Sequence, residues 1–281
     1  MDLAHPQNKM VFSRGAAPPL LRLSRSGVYL GLVSLAAALL LWELAARYAG
    51  LPPFMLPSPA QVWARFVQVL ADGSLARHVG ITLLEILAGL AIGVVAATLL
   101  GYLLAKSRAV ERLVSPYVVA SQSVPIVAIA PLLVIWFGPG LSSKVLICAL
   151  IVFFPVLVNT IVGLRGVPEE LQDLMRSLQA TRWQHLRFLE VPAALPVMLG
   201  GLRIGATLSV IGAVVGEFAG SDRGLGFLIN VGRGQYDTAL VFVAVFTLVL
   251  MALCLYGVVL LVETRLLSWR QRPDQPTVSL R

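Results

Sequence analysis

Five polar or ionisable residues sit inside long apolar runs of this chain: Glu43, Glu85, Asn159, Arg203 and Glu217. Left unpaired in hydrocarbon, such groups cost on the order of several kcal/mol each. Each therefore lines a wet pathway, pairs with a neighbouring helix or reaches a headgroup zone. Arg203 and Asn159 are candidates for facing a translocation cavity. The alternatives are that Arg203 snorkels or pairs with an adjacent helix, and that Glu217 lies in the outer headgroup zone. Ser121, Gln122 and Ser123 cluster beside Pro125 and mark either a pathway lining or a plain kink. Pro125, Pro131 and Pro155 each remove a backbone N–H within an apolar run. That is tolerated where neighbouring helices or a cavity re-satisfy the freed carbonyls.

Other chemistries find no footing in these residues. His5, His78 and His185 fall in separate parts of the chain and cannot share a metal. Cys148 and Cys254 have neither metal-ligand spacing nor a disulfide framework, and read as small buried apolar residues. There is no G-x-x-x-x-G-K-[ST] stretch, so no nucleotide is cradled by that route. No polar cluster suits an integral-membrane enzyme.

The elements that must position these residues are membrane spans. Of 281 residues, 58% are hydrophobic and 13% charged, against the roughly 25% charge of a soluble domain. The pattern predicts an all-α polytopic protein with six transmembrane helices: Gly27 to Tyr48, Gly80 to Ala105, Pro116 to Phe137, Val145 to Leu164, Ala193 to Phe218 and Ala239 to Leu260. Each is about twenty residues, enough to cross a core about 30 Å thick. A Pro-rich turn, Leu51 to Pro59, ends the first. The stretch Ala60 to Leu75 follows, with Trp63, Phe66, Val67 and Leu70 on one face, and is expected to lie in the interface. Residues 1–26 form a basic tail with no evident cleavable leader, so the first helix is expected to be retained. Residues 27–266 form the membrane domain, and residues 267–281 a second tail.

Net charge is +8. Its distribution matches topology signals and acidic headgroups better than nucleic acid. One set of connecting segments holds Lys9, Arg14, Arg22 and Arg25; Lys106, Arg108 and Arg112; Arg165, Arg176, Arg182 and Arg187; and Arg265, Arg270, Arg272 and Arg281. The opposite set holds only Arg65, Arg77, Lys144, Arg223 and Arg233. The positive-inside rule makes the rich set cytoplasmic, with both termini on that side. The polar segment 165–191 is then cytoplasmic too. Pro168 followed by Glu169 and Glu170 reads as a helix start. Leu171, Leu174, Met175 and Leu178 form an apolar stripe, and Thr181 suits the cap of a second short helix.

At this segment the chain resembles a known family. Asp173-Leu174-Met175 and Gln179, followed by Val191-Pro192, resemble the "EAA---G---------I-LP" loop of permease subunits of ATP-binding-cassette (ABC) importers. Asp173 stands for Glu, Leu174 and Met175 for the alanines, and Gln179 for the glycine. A glycine would ease the turn by adopting φ > 0; Gln179 takes a more ordinary conformation or carries strain. The resemblance covers about Ser58 to Glu263. The runs Ser121 to Gly138, Phe153 to Thr160, Gly216 to Phe218 and Gly224 to Ile229 look like the nitrate, sulfonate, taurine and pyrimidine-precursor branch.

The resemblance implies a type I ABC importer permease fold in a bacterial inner membrane. It implies a partner ATPase that supplies ATP and Mg, an extracytoplasmic substrate-binding protein and a homodimer. This chain itself would bind no cofactor and no metal. Asp173, Leu174, Met175, Leu178, Gln179 and Trp183 would couple to the ATPase. Packing on the chain's own helix ends is the alternative for these apolar residues. Glu217, Gly224 and Gly226 would belong to an outer gate or a binding-protein docking surface. The cargo leans towards a pyrimidine-type vitamin precursor or riboflavin, with sulfonate, taurine and nitrate open. The rival reading is an ion-gradient-driven secondary transporter, which calls for inverted repeats and intramembrane carboxylate ion sites.

Overall fold

The computed structural model describes residues 25–48 and 50–270. The tail residues His5, Lys9, Arg14, Arg22, Arg272 and Arg281 lie outside them. All regular structure among the described residues is helical.

The chain divides into two units. The first holds α1 (Arg25–Tyr48). Tyr29, Leu30, Val33, Leu40 and Leu41 are exposed on it, the pattern of a helix made for lipid. Its one acid, Glu43, pairs with Arg47 a turn later.

The second unit runs through α2 (Pro59–Ala71), α3 (Ser74–Lys106), α4 (Arg108–Gln122), α5 (Ile126–Phe137), α6 (Leu141–Arg165), α7 (Glu169–Ser177) and α8 (Arg182–His185). A π-turn (Leu186–Glu190) then leads to α9 (Val191–Gly220), α10 (Leu225–Gly234), α11 (Thr238–Leu266) and a short 3-10 turn (Ser268–Arg270). Among the described residues five helices are long and apolar enough to cross a membrane, or six if the bent pair α4–α5 is one span.

The third span is broken beside Pro125, where a kink is one of the two readings, and α4 and α5 meet at 96°. Pro125 has no N–H to continue the ladder, so the backbone closes instead with Ser123 N–H to Ala120 O and Val124 N–H to Ser121 O. Pro116, Pro131 and Pro155, by contrast, stay inside helices. In α2 a capping box of Ser58 and Gln61 starts the helix as its sequence suggests. But the buried residues are Val62 and Val69, while Trp63, Val67 and Leu70 point outward. The large apolar face is the one left for lipid; the smaller face packs on the protein.

Helices α3, α6 and α9 form the centre, and each buries a row of residues spaced four apart. On α3 the buried row is Glu85, Gly89, Gly93, Ala97 and Gly101. On α6 it is Lys144, Cys148, Val152, Val156 and Thr160. On α9 it is Gly201, Gly205, Ser209, Ala213 and Glu217. Such rows are the ridges that interlock when helices pack. In lipid no hydrophobic drive pulls helices together, so close contact through small side chains has to serve. The approach is tight: a methyl group on Gly93 would sit 2.7 Å from the Ala149 carbonyl oxygen, and one on Gly212 would sit 2.9 Å from Cys148 Cα. Cys148 is buried in this seam as expected, whereas Cys254 is exposed on the apolar surface of α11.

Candidate functional site

The segment α7–α8 lies at the end of the unit where α3 stops at Lys106. Glu169 and Glu170 occupy the first turn of α7 and Arg176 the last, each charge matching its end of the helix dipole. Asp173 bonds Arg176 at 2.9 Å. The helix then ends in a six-residue closing loop: Ala180 N–H donates to Met175 O at 3.0 Å, and Gln179 N–H to Arg176 O at 2.9 Å. That pair of bonds is a Schellman motif, which puts its penultimate residue in the left-handed region. Gln179 takes that place with φ of 51°. Of the two conformations expected for it, the strained one is adopted.

Thr181 then caps α8, with Gln184 bonding back to complete the box. The two short helices are not both separate from the span that follows. Residues Arg182–Gly220 run as one helix, interrupted only by the π-turn. Pro192 falls in the first turn of α9, directly after the π-turn.

The apolar stripe of this segment is not covered by the chain's own helix ends. Leu174 is 54% exposed, Leu178 67% and Trp183 65%. Only Met175 is half-buried.

About 30 Å away along α3, the charged residues of the three central rows converge. Glu85 of α3 and Lys144 of α6 are both buried and lie 3.5 Å apart. Lys144 Nζ also donates to Ser221 Oγ at 2.6 Å. Thr82 donates to Glu217 Oε1 at 2.6 Å, and the Gly226 N–H donates to Glu217 Oε2. The Leu225 N–H donates to Thr82 Oγ1 and the Gly224 N–H to His78 Nδ1, both at 2.9 Å. Gly224 has φ of 103°, and a side chain there would collide with the Glu217 carboxylate; only glycine fits. Glu217, Gly224 and Gly226 are thus brought together. Glu217 is wholly buried. A cleft of about 870 Å³ opens beside this cluster, lined by Glu85, Lys144, Ser221, Asp222 and Arg223 among others.

Both the sequence and the fold are similar to those of known proteins. Residues 89–268 match the family described as the binding-protein-dependent transport system inner membrane component. The chain belongs to this family. Over 237 residues it is 48% identical to the riboflavin transport system permease protein RibX of Chloroflexus aurantiacus, covering 84% of this chain and 88% of that one. Over 234 residues it is 39% identical to the formylaminopyrimidine transport permease protein ThiX of Halalkalibacterium halodurans, covering 83% and 93%. The taurine transport system permease protein TauC of Escherichia coli is 31% identical over 247 residues, covering 86% and 90%. The inward-facing MetNI methionine ABC transporter superposes with a TM-score of 0.61 at 20% identity, covering 70% of this chain and 97% of that one. The fold is that of a type I ABC importer permease, and the chain is a transport subunit rather than an enzyme.

Other polar residues of this permease are spent on helix contacts. Arg203 pairs with Glu263 of α11 and lies over the Tyr256 ring at 5.7 Å, the neighbouring-helix alternative. The Asn159 amide donates to Pro155 O at 2.8 Å, and its Cβ fills the notch left by Gly201. Ser121 and Ser123 bond back to Val118 O and Val119 O, and Gln122 is exposed. Among the described residues no group of three or more His, Cys, Asp or Glu is placed to hold a metal.

Sequence reasoning passed over Lys144, Thr82, Ser221, Lys106 and Glu190 as polar partners. The signal for the first was present: three rows of small residues at four-residue spacing, each ending on a charge at the same end of the bundle.

Proposed function

We propose that this permease works as a homodimer whose α7–α8 segments each dock in a groove of an ABC ATPase subunit. The observation that carries the reading is the apolar stripe Leu174, Leu178 and Trp183, exposed on an otherwise ordered and capped segment. Exposed apolar stripes of this kind mark interaction surfaces. The positive-inside count supports a cytoplasmic α7–α8 and cytoplasmic termini, on the side where an ATPase is available. The opposite end, with Ser221 to Gly226 and α10, then faces the extracytoplasmic binding protein.

The cycle follows from differential binding. ATP binding closes the ATPase pair, the coupling segments move with it, and the bundles open outward to receive cargo. Hydrolysis resets them. ATP and Mg reside on the ATPase, and this chain carries no cofactor. Its exposed flanks are solvated by lipid, and it has no role with nucleic acid. Riboflavin or a pyrimidine-type vitamin precursor is the cargo favoured by the relatives of highest identity reported above; sulfonate, taurine and nitrate rank below. Neither family nor relatives support the ion-gradient alternative.

The decisive experiment is Leu178→Asp in the purified complex. A charge in an apolar groove lowers ATPase retention at least about tenfold. Unchanged retention and unchanged ATP turnover would defeat the docking assignment. For the cargo, the ligand captured by the cognate binding protein is identified by mass spectrometry; a sulfonate or nitrate there would overturn the vitamin reading.

A further inference from the structure

Glu190 closes the π-turn between α8 and α9 and is only 4% exposed. Its Oε1 is shared between Lys106 Nζ, in the last turn of α3, and His185 Nδ1 of α8, the latter at 2.5 Å. Its Oε2 has no partner among the described residues. The carboxylate borders a cavity of about 440 Å³ that Lys106, Arg165, Glu169 and Gln172 also line. One buried acid thus meets α3 and α8 directly and, across the cavity, α6 and α7.

The turn beneath it is unusual. A π-turn fits one extra residue into a helix and is held by weaker, wider bonds. Here the Val191 N–H reaches back to Leu186 O. Pro192 offers no N–H, so the Phe188 carbonyl cannot regain its ordinary α-helical partner. From Arg182 to Gly220 the helix runs on, interrupted at this π-turn and carrying Pro196 in the turn that follows.

We propose that Glu190 is a positioning residue for energy coupling: through Lys106 it passes motion of α7–α8 to α3, while the π-turn under it passes the same motion to α9. The inference rests on the docking role of α7–α8 given above. The tether makes α3 follow a segment to which it is not joined in sequence. The cavity beside Oε2 gives the carboxylate room to turn as the segment shifts.

The test uses the full complex of permease, ATPase and binding protein in lipid vesicles. Glu190→Gln and Lys106→Met are compared singly and together. Basal ATP hydrolysis and ATPase retention stay within about twofold of the parent, while binding-protein-stimulated hydrolysis and uptake fall about tenfold, within the usual range of coupling free energies. The double variant is no worse than either single, as one shared contact requires.

Full stimulation in both single variants overturns the proposal. So does a parallel fall of basal turnover, stimulated turnover and melting temperature, which marks a merely structural tether. Lys106 is half-exposed, so Lys106→Met supplies the answer if Glu190→Gln fails to fold. Leu178→Asp separates the two readings: retained ATPase there defeats docking itself, whereas lost ATPase with normal stimulation in Glu190→Gln defeats only the joint.

Discussion

At the α10 end, Glu85, Lys144 and Glu217 are withdrawn from solvent: Thr82 and the Gly226 N–H answer Glu217, Ser221 answers Lys144, and Glu85 has Lys144 at 3.5 Å but no hydrogen bond to either oxygen among the described residues. At the α7 end, Asp173 and Arg176 stand in solvent and the apolar side chains beside them are exposed. The first region spends its polar groups inside the chain; the second keeps its contacts for something outside it. A buried charge cluster resists rearrangement, because separating any member strands the others in low dielectric. An exposed stripe loses little until it finds a partner. The permease therefore pairs an end whose charges are buried together with an end whose apolar stripe stays exposed.

The comparison is broken most directly at Lys144. Lys144→Met leaves Glu85 and Glu217 buried without a cation, and removing one partner of such a pair costs about 3–5 kcal/mol. A large fall in melting temperature in detergent is expected, with partial recovery in Lys144→Met/Glu85→Gln. A fall no larger than that of Arg176→Ala, an exposed pair worth under about 1 kcal/mol, would erase the difference between the ends.

The spans were legible because long apolar runs have one stable home. The polarity of α7 was legible because Glu169, Glu170 and Arg176 follow the helix dipole. The buried cluster was not read, because each member was weighed alone: Glu217 between headgroups and gate, Lys144 only as a topology charge. Their meaning lies in the rows behind them. Gly89, Gly93, Ala97 and Gly101 carry α3 close enough to α6 for Glu85 to meet Lys144. On α2 the face carrying Trp63, Val67 and Leu70 stays exposed, as suits a helix lying in the interface, and Val62 and Val69 are the packing residues. A kink at Pro125 was legible, because proline has no N–H to continue the helix; its angle of 96° was not, because that depends on how α5 lies against α6 and α9.

A second, smaller break tests the seam. Gly93→Val places a branched side chain where even a methyl group sits 2.7 Å from the Ala149 carbonyl oxygen. Overpacking of this kind costs about 1–3 kcal/mol. The melting temperature is expected to fall while ATPase retention by the folded fraction holds, since the seam and the docking stripe are separate. A loss of retention without loss of stability would mean the two regions are not separable.

The smallest effect sharpens the open end. Gln179 holds a left-handed φ of 51° that glycine adopts without penalty. A residue with a Cβ loses about 1–2 kcal/mol there, and glycine gives back about 0.5–1 kcal/mol through its looser unfolded chain. Gln179→Gly is thus expected to stabilise by roughly 0.5 kcal/mol or slightly more, a rise of a degree or two in melting temperature. The gain belongs to the free permease only if the Schellman turn is already formed before docking. If the turn forms on contact with the ATPase, the melting temperature of the isolated permease stays level and affinity for the ATPase rises instead. Measuring both quantities on one variant decides whether the exposed end is preformed, as the caps on α8 and the closing bonds at Gln179 and Ala180 imply.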